Sequence, residues 1–112
     1  VAIEVTLEAA PAVTWDAMVV PDGDACASAL AASGHAKEFL KDQYRHCKAI
    51  LLLGAARGLL AAAAIPERLA DGSPDRALLQ FDTSETEAAL TAFAAALKEH
   101  RNFARETDPP LV

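Results

Sequence analysis

The chain has 112 residues, a net charge of −6 and 53% hydrophobic residues, enough for one domain with a real core but short for a complete doubly wound sheet. Its ten Lys and Arg residues are scattered among sixteen acids, which argues against a nucleic-acid or anionic-membrane surface, because phosphate binding needs clustered cations. The longest apolar stretch carries Arg57 in its middle, so a transmembrane span of about 20 apolar residues is excluded and a soluble protein is expected. No signal-peptide, transit-peptide or lipidation pattern is visible in the sequence, and the compartment stays open between cytoplasm and secretion.

Taken in order, Val1 to Leu7 alternates apolar and polar residues and predicts a half-exposed strand near a sheet edge. Trp15-Asp16-Ala17-Met18-Val19-Val20-Pro21 predicts a second strand, closed by proline. Asp22-Gly23-Asp24 supplies a turn and a helix N-cap, and Cys26, Ala29 and Leu30 share one face of the helix that follows. After Ser33-Gly34, Ala36, Phe39, Leu40, Tyr44 and Cys47 recur at helical spacing, with Lys37, Glu38, Lys41, Asp42 and Arg45 facing out. Ala49 to Leu53 is a continuous apolar run, the signature of a central parallel strand covered on both faces.

Gly54-Ala55-Ala56 then makes a tight turn into the helix former Leu59 to Ala64, which Pro66 stops. Glu67 to Ala70 is a candidate short strand, Asp71 to Pro74 a loop, and Ala77 to Phe81 a last strand. Ser84 and Glu87 have capping-box spacing and open a helix with an expected apolar stripe of Leu90, Phe93, Ala94 and Leu97. Pro109-Pro110 leaves an irregular tail. Strands alternating with helices make the class α/β, with parallel crossovers.

The strand-to-helix turn at Gly54 is where such a sheet places ligands or nucleophiles. Gly54, Ala55 and Ala56 provide no nucleophile, and Gly54 to Gly58 lacks both the dinucleotide and the phosphate-loop spacing. His35, His46 and His100 are not spaced as metal ligands and read as surface or partly buried histidines. Cys26 and Cys47 form neither a disulfide framework nor a metal-ligand spacing and read as buried small hydrophobes. Asp22 and Asp24 read as capping groups rather than metal ligands. Glu67, Asp71, Asp75, Asp82, Glu85 and Glu87 form a loose acidic region expected to be a solvated face.

Across these segments a resemblance emerges. Trp15 to Pro21, Tyr44 to Ile50, Gly54 to Arg57 and the ending Glu99-His100-Arg101-Asn102-Phe103-Ala104-Arg105 together resemble the C-terminal domain of large-subunit haem catalases, over essentially the whole chain. That domain in turn resembles the flavodoxin-like, class I glutamine amidotransferase-like fold of the PfpI and ThiJ relatives. Alignment on Leu59-Leu60-Ala61-Ala62 puts Gly54 where active relatives carry a nucleophilic Cys and Ala55 where a His usually follows. Their Pro-Gly-Gly turn, which helps shape the oxyanion site, here reads Pro21-Asp22-Gly23.

The resemblance implies a doubly wound, mainly parallel sheet lacking its first βαβ segment, so that residues 1–112 are a single domain or a domain fragment with the haem-binding core absent. It implies a non-catalytic accessory domain with a degenerate elbow at Gly54, Ala55 and Ala56, and no cofactor or metal held by this chain. It implies a haem held by the parent catalase, expected to decompose hydrogen peroxide to water and oxygen. The expected partner is the rest of the parent polypeptide in a homotetramer, with no nucleic acid and no membrane. The alternatives are a chaperone-like or small-ligand-binding PfpI/ThiJ-like module, and a residual hydrolase or deglycase using Cys26 or Cys47.

Overall fold

A computed structural model describes residues 2–112. Its centre is a three-stranded parallel sheet in the order β1 (Ala17–Val20), β2 (Ala49–Leu53), β3 (Leu78–Phe81). Met18, Ile50 and Leu78 lie abreast on one face, and Val19, Leu51 and Leu79 on the other. Ile50, Leu51 and Leu52 have no exposed surface, and burying each contributes about 1.5–3 kcal/mol as an upper estimate.

Between β1 and β2 run α1 (Asp24–Ala32) and α2 (Gly34–Arg45); α3 (Leu59–Ala62) follows β2, and α4 (Thr86–Lys98) follows β3. Leu40 and Tyr44 of α2, Leu59 and Leu60 of α3, and Leu30 and Ala31 of α1 pack on the Ile50 and Leu52 face. Phe93 and Ala96 of α4 cover the Ala49 and Leu79 face. Helices on both faces of a parallel sheet make this a doubly wound α/β fold of the flavodoxin-like kind. Among the described residues no helix is long and apolar enough to cross a membrane.

Local chemistry explains where the elements begin and end. The Ser33 hydroxyl accepts from the Ala36 amide at 3.2 Å and starts α2. Cys47, at φ 61°, turns the chain out of α2 and into β2.

Several expectations are corrected. Val1 lies outside the described residues, and residues 2–6 form no strand but an exposed irregular segment leading to a 3-10 turn at Leu7–Ala9, packed on α2. Alternation fits any extended chain, and only hydrogen bonds to a neighbour make it a strand. Glu67 to Ala70 makes a single bridge, Arg68 with Pro74, and no strand. The capping box is two residues earlier than expected: Asp82 accepts from the Ser84 amide at 3.4 Å and Glu85 from the Asp82 amide at 3.3 Å. On α4 the sheet-facing residues are Ala89, Phe93 and Ala96, while Leu90 and Leu97 are 54% and 42% exposed. Small side chains let α4 lie close on Ala49 and Ala77, so the helix is rotated from the stripe of larger residues. On α1 it is Ala27, Leu30 and Ala31 that turn inward, which leaves Cys26 exposed.

Candidate functional site

The elbow stands at the carboxyl end of β2. Gly54 has φ +55°, in the left-handed region where a side chain is strained, and opens a 3-10 turn over Gly54–Gly58 that runs into α3. Ala55 is half-buried beside it, and Ala56 is fully buried in the main core. Here Asp22, from the loop after β1, reaches across. Its Oδ1 accepts from the Ala55 amide at 2.8 Å and from the Gly23 amide at 2.8 Å, and its Oδ2 accepts from the Thr83 hydroxyl at 2.6 Å. Thr83 follows β3, so one carboxylate ties together the loops at the ends of all three strands.

The Asp22 carboxyl is held below the usual carboxylate range, first by the Thr83 hydroxyl and then by the Ala55 amide, with Arg57 adding a smaller attraction. Arg57 is itself positioned by donating Nε–H to the Gly54 carbonyl at 2.8 Å. Around them lies a shallow cleft of about 420 Å³ walled by Asp22, Asp24, Asp82, Gly54 and Arg57. Among the described residues that wall it none is a cysteine or histidine, and the nearby Thr83 hydroxyl is donated to Asp22. A strand-to-helix elbow presents its nucleophile beside the next residue's amide, which binds an oxyanion. In this chain that amide already holds a carboxylate.

Asp22 therefore does not cap α1: Gly23 precedes that helix with no side-chain cap, because the Asp22 oxygens are taken by donors from the turns after β2 and β3. The legible signal was the Pro21-Asp22-Gly23 turn itself, in which a charged side chain stands where the resembling fold has glycine.

At the opposite end of the sheet the sequence reading missed a buried network. Asp75 and Arg105 pair at 2.6 Å with both side chains 1% exposed. Asn102 donates to Asp75 Oδ1 at 2.9 Å, and Arg105 donates to the Lys48 carbonyl at 2.6 Å. The Arg105 guanidinium lies 4.8 Å from the Tyr44 ring centroid. Lys48, also buried, donates to the carbonyls of Ala12, Val13 and Trp15 at 3.1, 3.0 and 2.6 Å. Burial lowers its pKa below the ordinary lysine value. Asp75 thus leaves the solvated acidic face to which the sequence assigned it.

The remaining candidates are dispersed. Cys47 is buried beside the amino end of β2, and burial pushes its thiol above the ordinary value. Cys26 sits exposed on α1. His35, His46 and His100 are exposed on separate stretches, and among the described residues no three His, Cys, Asp or Glu groups converge as a metal site. Tyr44, the sole tyrosine, has its hydroxyl sealed in the core with no partner, under the Arg105 guanidinium.

Comparison with known proteins agrees with this architecture. The family described as the C-terminal domain found in long catalases matches residues 1–107. The chain is 36% identical over 107 residues to a protein named Catalase HPII from Pseudomonas putida, covering 93% of this chain and 13% of that protein. It is 36% identical over 102 residues to Catalase HPII of Mycobacterium avium, covering 86% of this chain and 14% of that protein. With Catalase HPII of Pseudomonas aeruginosa it shares 30% identity over 103 residues, 92% of this chain and 13% of the relative. The chain spans about an eighth to a seventh of the length of these relatives, and it belongs to the family of C-terminal domains found in long catalases.

Proposed function

We propose that this chain is a non-catalytic accessory domain of a larger haem catalase, which decomposes hydrogen peroxide at a haem held elsewhere in the polypeptide. Its task is to pack against the rest of that polypeptide and support the stability and assembly of a homotetramer. The observation that carries the non-catalytic reading is the elbow: Gly54 lacks a side chain, and the Asp22 carboxylate holds the Ala55 amide.

The surface that serves packing runs along β1. Among the described residues β1 pairs only with β2, leaving its other edge free. Val19 on its α4-side face is 46% exposed, and Trp15 just before it 42%. Ala92, Ala95 and Glu99 of α4 line the groove beside β3, so Leu90 and Leu97, on the other flank of the helix, lean toward β1. In the flavodoxin-like strand order 2-1-3-4-5, three parallel neighbours consecutive in sequence correspond to 3-4-5. The strand beside β1 then comes from an earlier part of the polypeptide, and its crossover helix covers Val19, Leu90 and Leu97.

The test is Val19→Asp in the full polypeptide. Peroxide turnover per haem stays at the wild-type value, while the melting temperature falls and the tetramer loosens in size-exclusion chromatography. Turnover per haem that drops with haem occupancy intact would assign the domain a part in the chemistry. Unchanged stability and assembly would remove the packing role and favour the chaperone-like alternative, checked by suppression of client aggregation.

A further inference from the structure

Two features of the elbow fit each other. A Cβ built on Gly54 would collide with the carboxyl carbon and both oxygens of Asp22. The carboxylate therefore fills the space into which a side chain at position 54 would project. The Gly54 backbone nevertheless keeps φ +55°, and Arg57 braces its carbonyl. The place a side chain at this turn would take is filled by one from another loop.

We propose that Asp22 and Gly54 form an occluding pair: the Asp22 carboxylate closes the elbow from within, and Gly54 both meets the positive φ of the turn and leaves room for that carboxylate. The closure is fastened by donors from two further loops, the Ala55 amide and the Thr83 hydroxyl, so it does not depend on the turn at Gly23 alone. The charged groups around it are Arg57 from the turn after β2, Asp24 from α1 and Asp82 from the end of β3. Arg57 adds a weak attraction for the carboxylate, and the two acids leave a second anion little reason to enter. The pair is thus a closure built into the carboxyl end of the sheet. It stands whatever the domain does for the parent polypeptide.

The experiment places a cysteine at position 54 as a probe, in the full polypeptide, with Asp22 present or replaced by glycine. Iodoacetamide labelling is followed by peptide mass spectrometry: the thiolate sulfur bonds to the acetamide carbon, the C–I bond breaks, iodide leaves and the thiol proton passes to buffer. Cys47, buried in the core, reports whether the fold persists, and exposed Cys26 sets the reference rate. In Asp22→Gly/Gly54→Cys, position 54 labels readily while Cys47 stays protected. In Gly54→Cys alone, either position 54 labels about tenfold to a hundredfold more slowly, the range expected for displacing a carboxylate held by charge-assisted hydrogen bonds, or Cys47 loses protection because the elbow cannot accommodate both side chains.

Equal behaviour of the two variants at both positions overturns the pairing, and so does loss of Cys47 protection in the double variant. Asp22→Gly alone supplies a second measurement. Amide exchange across residues 53–58 rises about tenfold as the carboxylate bonds are lost, with Cys47 still protected, and unchanged exchange there overturns the proposal.

Discussion

The two ends of the sheet each gather several donors onto one carboxylate, yet they do so in opposite surroundings. At the amino end, Asp75 takes Arg105, Asn102 and the Ala77 amide, with its side chain and that of Arg105 shut away from water. At the carboxyl end, Asp22 takes the Ala55 and Gly23 amides and the Thr83 hydroxyl while open to solvent. The chemistry is nearly the same, and the dielectric differs. In a buried network every missing partner leaves an uncompensated charge. At the surface water replaces a lost partner, and what changes is which loop conformations are held. One end therefore carries stability, and the other controls access to the elbow.

The comparison is broken most severely at Asp75. Asp75→Leu or Arg105→Met alone lowers unfolding stability by about 3–5 kcal/mol, because each leaves its partner buried and unpaired. The double variant loses clearly less than the two single losses added together, a non-additivity read from denaturant melts. Purely additive losses would mean that the pair does not act as a unit. Leu52→Ala, midway between the two ends, costs about 2–5 kcal/mol as a cavity in a packed core. A loss below about 1 kcal/mol in the same melts would show that β2 is not central.

Lys48→Met keeps the apolar stem but removes one donor from each of three carbonyls, of which those of Ala12 and Trp15 still accept from Gln43 Nε2–H. It costs about 1–3 kcal/mol, and faster amide exchange around Trp15 checks that the loss is local.

The smallest effect belongs to Asp22 and is seen in its pH dependence. Its folded pKa is lowered, so its contribution is complete above the unfolded carboxylate value and is lost as pH falls through the lowered folded value. The melting-temperature gap between wild type and Asp22→Ala therefore narrows in acid below the ordinary carboxylate range. A gap that stays constant across that range would show that the carboxylate's charge is not what holds the loops.

Which parts of this were legible in the sequence follows from how far each interaction reaches. The β2 run, the outward charges of α2 and the turn at Gly54 are local patterns, and the structure has them where the periodicity and the turn residues put them. Asp22 was misread because its first plausible use, capping α1, is local, whereas its real donors stand 33 and 61 residues downstream. Asp75 was misread for the same reason, its partner lying 30 residues ahead. The Val1 to Leu7 alternation carried no information about whether a neighbouring strand would be there to pair. The α4 stripe failed differently: contact with a sheet of small residues selects small residues on the helix, so hydrophobic size pointed to the wrong flank.

The Arg105–Asp75 pair also constrains the order in which the chain can be finished as it is made. Synthesis runs from the amino terminus and domains fold as they emerge, so β1, β2, β3 and α4 leave the ribosome before the guanidinium that Asp75 requires. Until residue 105 is free, the amino end of the nascent sheet must keep Asp75 hydrated, and the last step of closure waits for a residue beyond β3 and α4. A translation product halted after α4 would contain β1 to β3 and α1 to α4 and still lack this clasp, which makes it a natural substrate for quality-control proteolysis.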